Sequence, residues 1–388
     1  MERTFLYFPS FSVGEFAGLL CQDYKINDKV SIKFFLSEYK KHQHPYFLIS
    51  AGHNLKNSRE TFDCKKGEVI VMGDSGGFQI CSGVKKWNDS LLVDTFNWLE
   101  KNTDIAINLD IPPRAAWAGK FDRSLEISLK NFEYFHKNQT GATMFLNVLQ
   151  GANYKEINTW YDSVSKFDFS GWSIGGAGGR NYVLFEMLAT LFKNNEHHKE
   201  TNKYLHILGT STLEQFFILA CLQNALNEVG SSIQVTTDSS SPGLSVAFGT
   251  YFTGMNQINI SMQTIKIPKE SENQLYFPYT NEFDSIIWNV LKDKPYAWDK
   301  DTRSFMVIHN LFTLLNSIKF INSVVYSGKN IIKQVIKEKR FLVMFEAIEK
   351  LVHSKNPEEV LNQYRSIFMQ FDKPTIATNT DNDFFTLD

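Results

Sequence analysis

From residue 46 to residue 237, short apolar runs alternate with longer segments of helical periodicity, and this alternation narrows the possible folds most. Tyr46–Ser50 (YFLIS), Glu68–Gly73, Asp104–Leu109 (DIAINL), Thr143–Leu149 (TMFLNVL), Gly171–Ile174, Lys203–Leu208 (KYLHIL) and Ile233–Thr237 (IQVTT) read as strands. Leu91–Glu100, Arg123–Lys137, Tyr154–Lys166, Val183–Asn194 and Thr212–Glu228 read as the helices between them. The last opens on Thr212-Leu213-Glu214-Gln215, a capping-box pattern. Strands joined through helices of ten or more residues imply right-handed βαβ units and a parallel sheet. Seven such strands favour an α/β fold of the TIM-like (β/α)8 barrel type, with a helical C-terminal extension. A doubly wound open sheet is the competitor, but no GxGxxG follows the first strand.

At 388 residues the chain exceeds the roughly 250 residues of one barrel, so additions are expected. Residues 1–260 read as the catalytic barrel, continuing through about 325, and 326–371 as the C-terminal extension. Helices are expected near Asn310–Val325, Lys329–Lys350 and Pro357–Phe371, after a loop-like stretch over 264–285. The polar end, 372–388, reads as disordered. Residues 1–45 carry no catalytic signal.

Hydrophobic residues make up 43% of the chain and charged residues 21%, as in globular proteins, and no apolar run is long enough to span a bilayer. The start, MERTFLYFPSF, lacks the basic and aliphatic segments of a signal peptide, so a cytoplasmic location is expected. Cys21, Cys64, Cys81 and Cys221 lie far apart, without a CxxC or CxC pair. Reduced, buried thiols are expected rather than a disulfide framework or a sequence-local zinc site. The formal charge of −2 excludes a polycation that holds nucleic acid by net attraction. Lys329–Arg340 (KNIIKQVIKEKR) is the clearest local basic patch, although its Ile and Val residues at helical spacing equally describe a solvated helix face.

Chemistry-bearing residues gather at the C-terminal ends of the strands. EVIVMGDSGGFQIC (68–81) puts Asp74 at a strand end, followed by Gly76 and Gly77, the aromatic Phe78 and the amide of Gln79. Asp110 stands in INLDIPP, Gln150 and Gly151 in NVLQGAN, Gly175 and Gly176 in SIGGAGG, Leu208 and Gly209 in LHILGTS, and Asp238 in VTTDSSSPG. A single aspartate after a strand is more often a helix cap than a functional group. Three at equivalent ends, flanked by glycines, are harder to explain as capping, because barrel active sites assemble at that face. The glycines of 175–179 could instead cradle a phosphate, and the aspartates could bind magnesium together with a phosphate.

These blocks resemble the tRNA-guanine transglycosylases and the related phage enzymes that exchange guanine for a 7-deazaguanine in DNA. DSGGFQ (74–79) is the most specific match, followed in order by NVLQGAN, the Gly-Gly of SIGGAGG, the Leu-Gly of LHILG and the Asp of VTTDSSSPG. His309-Asn310-Leu311 is a weaker echo of a C-terminal HNL helix. The resemblance covers roughly residues 45–325, sparsely. It implies that Asp238 is the nucleophile at the sugar's anomeric carbon and that Asp74 is the general acid/base. It further implies that Asp110 recognises the guanine edge, that Gln150 and the backbone N–H of Gly176 beside Gly175 serve O6, and that Phe78 and Leu208 sandwich the ring. No cofactor and no metal are implied. The target base must leave its stack to enter such a pocket.

Two departures bear on the substrate. The tRNA enzymes carry a CxCxxC cluster before the HNL histidine, and residues 275–308 contain no cysteine, so His309 reads as a packed or capping residue. The tRNA enzymes also carry an arginine-bearing loop after the nucleophile, and SSSPGLSVAFG has no arginine. DNA is therefore the expected polynucleotide partner, with tRNA the alternative and a free 7-deazaguanine, such as 7-cyano-7-deazaguanine, the incoming base. A barrel glycoside hydrolase using Asp74 and Asp238, and a non-catalytic binding protein, are the rival readings. Dimerisation, a habit of the family, is not carried over.

Overall fold

The computed structural model describes residues 3–10, 25–26, 30–31, 44–59, 67–81, 83–113, 121–176, 180–266 and 300–372. Eight parallel strands form one sheet: β1 (Leu6–Pro9), β2 (Tyr46–Ser50), β3 (Ile70–Asp74), β4 (Ile105–Ile107), β5 (Met144–Leu149), β6 (Gly171–Ile174), β7 (Tyr204–Ile207) and β8 (Gln234–Ser239). Neighbours follow chain order, β1 pairs with β8 through Phe8 opposite Asp238, and a bridge from Ser10 to Leu48 closes β1 onto β2. The expected (β/α)8 barrel with a helical C-terminal extension is what the chain forms, a fold of the broad TIM-barrel superfamily.

One strand escapes the sequence pattern. β1 lies in 1–45, where the aromatic residues of FLYFP do not alternate with polar ones, because Tyr7 and Phe8 are both buried. One faces the barrel interior and the other the surrounding helices.

Around the sheet run α1 (Ala51–Asn54), α2 (Gly77–Cys81), α3 (Asp89–Asn102), α4 (Phe121–Asn138), α5 (Tyr154–Val164), α6 (Asn181–Lys193), α7 (Leu213–Glu228) and α8 (Ser241–Ala247). Asn88, Asn153 and Thr212 cap α3, α5 and α7 through side-chain oxygens that accept from the N–H groups of Leu91, Glu156 and Gln215. The Gln215 amide oxygen reaches back to the Ser211 N–H at 3.3 Å, so the TLEQ start works as a reciprocal cap shifted by one residue. Helix α7 is buried nearly all round, from Leu213 to Leu226. A hairpin of β9 (Thr250–Asn256) and β10 (Ser261–Lys266) follows α8, and then come α9 (Lys300–Tyr326), α10 (Lys329–Val335), α11 (Lys339–His353), α12 (Pro357–Gln363) and α13 (Arg365–Gln370). Helices α9 and α11 pack on α7 and cover the face that a surface helix would leave to water. Each fully buried Phe or Leu there contributes about 1.5–3 kcal/mol.

Two expected C-terminal helices prove to be pairs. Lys329–Lys350 breaks where Ile336 adopts an extended conformation, and Pro357–Phe371 breaks at Tyr364. Of the loop-like stretch 264–285, residues 264–266 belong to β10 and the rest lies outside the described residues, as does the tail after 372. In the basic stretch 329–340 the ends are engaged within the fold, while Lys333, Lys337 and Lys339 are exposed. Lys329 pairs with Glu349 at 2.8 Å, and Arg340 bridges Glu338 and Glu214 while its guanidinium lies over the Phe341 and Phe371 rings. Cys81 and Cys221 are buried thiols, and Cys21 and Cys64 lie outside the described residues. Among the described residues no helix is long and apolar enough to cross a membrane.

Candidate active site

Strand register decides which side chains enter the barrel. Ser50 pairs with Asp74, Ser173 with His206, Thr236 with His206 and Leu6, and Asp238 with Phe8. Because alternate residues share a face, Ser50, Asp74, Gln150, Leu208 and Asp238 point inward at the C-terminal mouth, with Ser173, His206 and Thr236 one layer below.

Asp74 ends β3. Its Oδ2 accepts from the Ser50 hydroxyl at 2.7 Å, and its Oδ1 from the Gly76 N–H at 3.3 Å. Burial pushes the Asp74 carboxyl above its ordinary value, those two hydrogen bonds oppose the shift, and the negative charge of Asp238 adds to it. Asp74 and Asp238 therefore share one electrostatic environment.

The glycines after Asp74 allow close approach of backbone. A Cβ at Gly77 would stand 2.1 Å from the Asp110 carbonyl oxygen, and one at Gly76, where φ is +85°, 2.6 Å from Gly52 Cα. No residue with a side chain fits at either place without displacing backbone. The Ser75 hydroxyl donates to the Asn108 carbonyl at 3.0 Å and ties the same loop to the end of β4. DSGG thus packs the turn after Asp74 against the backbone of Asp110. Phe78, in the first turn of α2, is 48% exposed, and the Gln79 amide meets His53 at 2.9 Å.

Asp110 is buried and accepts from the Gln150 amide nitrogen at 2.6 Å. The same amide lies against the backbone of SIGG. A Cβ at Gly175 would meet Gln150 Nε2 at 2.2 Å, and one at Gly176 would meet Oε1 at 2.8 Å. Asp110, Gln150, Gly175 and Gly176 form one polar wall, with Arg180 donating to the Gly176 carbonyl at 2.6 Å. Residues 177–179 of the glycine run lie outside the described residues, so the phosphate-cradle alternative falls partly there.

Asp238, on β8, is 14% exposed at its side chain. Its Oδ1 accepts from the Gly209 N–H at 2.8 Å, which the left-handed backbone of Gly209 (φ +68°) aims at it. Oδ2 has no hydrogen bond among the described residues. Leu208, half-buried, is the inward residue next to that glycine.

Sequence reasoning singled out neither Ser50, nor Tyr7, nor His206. Tyr7 donates to the Ser239 carbonyl at 3.0 Å, and burial together with the Asp238 charge drives its phenol well above the usual range, so it stays neutral beside the site. His206 is fully buried, with Nδ1 at 2.9 Å from Thr236 Oγ1 and Nε2 at 3.4 Å from Asp238 Oδ1. The sequence holds only part of the signal: a histidine inside the apolar strand KYLHIL shares the inward parity of Leu208, and its partners Thr236 and Asp238 come from the neighbouring strand.

Among the described residues no three His, Cys, Asp or Glu side chains stand together as a metal-ligand set, the three aspartates included. His309 is fully buried, stacked on Tyr251 at 3.9 Å between ring centres, with Nε2 at 2.6 Å from the Phe252 carbonyl. It is a packing residue. Compared with protein-family models and with curated proteins, the chain matches none.

Proposed function

We propose that the chain is a base-exchange transglycosylase that replaces guanine in DNA with a 7-deazaguanine through a covalent Asp238–sugar intermediate. The observation that carries this reading is the division of labour at the barrel mouth. One carboxylate has an oxygen left open, a second has a raised proton affinity, and a third is paired with an amide over two bare glycines.

Asp238 Oδ2 attacks the anomeric carbon while Oδ1 stays held by the Gly209 N–H. The carbon–nitrogen bond breaks, its electron pair goes to the departing guanine, and that base takes a proton from Asp74. The raised proton affinity of Asp74 suits a general acid, a role worth about 10²–10⁴-fold in rate. The incoming 7-deazaguanine then gives its ring N–H proton to the Asp74 carboxylate. Its nitrogen attacks the same carbon and releases Asp238. The chain is left uncut and configuration is retained after two displacements.

The Asp110 carboxylate can accept from both N1–H and the exocyclic amine of a guanine edge, which adenine cannot match. Gln150 and the Gly176 N–H lie on the same wall and serve O6, with Gly175 allowing the amide its place. Phe78 and Leu208 supply the apolar faces for the ring. Base flipping or a single-stranded substrate brings the nucleotide to this depth. The absence of cysteine in 275–308 and of arginine in 239–249 favours DNA over tRNA.

The test is incubation of the purified protein with guanine-labelled DNA and, separately, guanine-labelled tRNA, with 7-cyano-7-deazaguanine present, followed by nucleoside mass spectrometry. Modified deoxynucleoside with release of label is the expected result, abolished by Asp238→Asn. Modification of tRNA alone overturns the choice of polynucleotide. Free sugar release without incorporation identifies a glycoside hydrolase, and no reaction with either substrate overturns the enzymatic reading.

A further inference from the structure

Resting on the base-exchange reading, we propose that His206 is the positioning residue of Asp238, holding Oδ1 from inside the barrel so that Oδ2 is presented to the sugar. The imidazole has no exposed surface and stands one layer below the mouth, between Ser173 and Thr236 in register. Burying an imidazole costs free energy unless both ring nitrogens are engaged. Nδ1 is engaged by Thr236 Oγ1 at 2.9 Å, whereas Nε2 makes no hydrogen bond among the described residues and faces Asp238 Oδ1 at 3.4 Å.

A threonine hydroxyl donating to Nδ1 leaves the ring proton on Nε2, the nitrogen that faces the carboxylate. The 3.4 Å separation exceeds an ordinary hydrogen bond, and catalytic hydrogen bonds are often long before substrate binds and shorten afterwards. Oδ1 then carries two N–H groups, from Gly209 above and His206 below. Once Oδ2 has joined the sugar, Oδ1 is the carbonyl oxygen of the ester. The same two N–H groups stabilise the negative charge that returns to the carboxylate when the ester breaks. His206 touches no reacting atom and acts through Asp238.

The experiment compares His206→Leu and His206→Gln with wild type in labelled-guanine exchange on DNA, together with the rate at which a denaturation-resistant protein–DNA adduct forms without incoming base. His206→Leu is expected to lower kcat about 10–100-fold, with the KM for the 7-deazaguanine within two-fold of wild type. Adduct formation should slow in parallel. His206→Gln, whose amide can donate to the same oxygen, is expected to recover most of the loss. Wild-type rates in the leucine variant overturn the proposal, and so do equal losses in both variants.

A second measurement is independent of turnover. The imidazole 15N shifts of His206, assigned by comparison with His206→Gln, should show the Nε2–H form in wild type and move in Asp238→Ala. An Nδ1–H form overturns the positioning role even in an enzyme that exchanges bases. A wild-type protein that exchanges nothing, yet shows the Nε2–H form coupled to Asp238, overturns the base-exchange reading instead.

Discussion

The Ser50 hydroxyl donates to Asp74 Oδ2 at 2.7 Å, and the two residues face each other in register at the ends of β2 and β3. The bond favours the charged carboxylate and so opposes the effect of burial, which raises its proton affinity. Ser50→Ala therefore raises the Asp74 pKa further. If Asp74 must be protonated to release guanine, the basic limb of the pH profile of kcat/KM for the polynucleotide moves to higher pH. The maximal rate should fall by no more than roughly 10–150-fold, the loss of one hydrogen bond to a charged group at about 1.5–3 kcal/mol. A limb that stays put or moves down removes Asp74 from the general-acid role.

Stability provides a second reading of the same group. The folded-state pKa of Asp74 is raised above the ordinary 3.8, so the unfolded chain gives up this proton more readily than the folded one. The protonated form is the one the fold favours. Its contribution is fully present below the unfolded pKa and is lost as pH rises through the folded pKa. Asp74→Asn, a neutral mimic, is therefore expected to melt at a higher temperature than wild type at pH 7, with the difference vanishing below about pH 3.5. Exchange activity should fall at least about 10²-fold in the same variant. Calorimetry across pH checks the first expectation and the labelled-base assay the second.

Much of this architecture is legible in the alternation of KYLHIL, TMFLNVL and the intervening helices, because strands buried on both faces read as apolar runs. β1 was not, since four residues among scattered lysines and aromatics are too few to show a period. The strand ends bearing Asp74, Asp110, Gln150 and Asp238 were legible because a polar residue that closes an apolar run stands out. The contacts between them were not. That Gln150 reaches Asp110 while resting on Gly175, or that Ser50 reaches Asp74, depends on lateral register, which no single strand encodes. His206 was passed over because its chemistry appears only when β7 is set beside β8.

Gly77 is the place where the DSGG turn and Asp110 are locked together. A methyl group there would stand 2.1 Å from the Asp110 carbonyl oxygen, so Gly77→Ala must move backbone at the ends of both strands that carry Asp74 and Asp110. A loss of about 2–4 kcal/mol in stability is expected, with exchange reduced beyond detection. Gly83→Ala is the control, since its added Cβ meets nothing within 4 Å and only the positive φ of +79° is strained, about 1–2 kcal/mol. Urea melts of the two variants separate these costs, and equal losses would deny Gly77 its special place.

Base choice should reside in the Asp110–Gln150 pair. The 2.6 Å bond between them orients the carboxylate and uses one of the two amide N–H donors, leaving the other for an acceptor such as O6. Gln150→Ala removes one bond to a charged group, worth about 1.5–3 kcal/mol, so the KM for guanine or its 7-deaza analogue should rise roughly 10–150-fold. If the reacting carbon lies at Asp238, kcat should change by less than about five-fold. Asp110→Ala removes the acceptor for both N1–H and the exocyclic amine. Weakened binding of guanine is then expected together with lost discrimination against adenine, since a pocket without the carboxylate no longer penalises a base lacking those donors. Competition of guanine and adenine against the labelled base measures both effects. Preserved discrimination in Asp110→Ala would move recognition to another wall of the mouth.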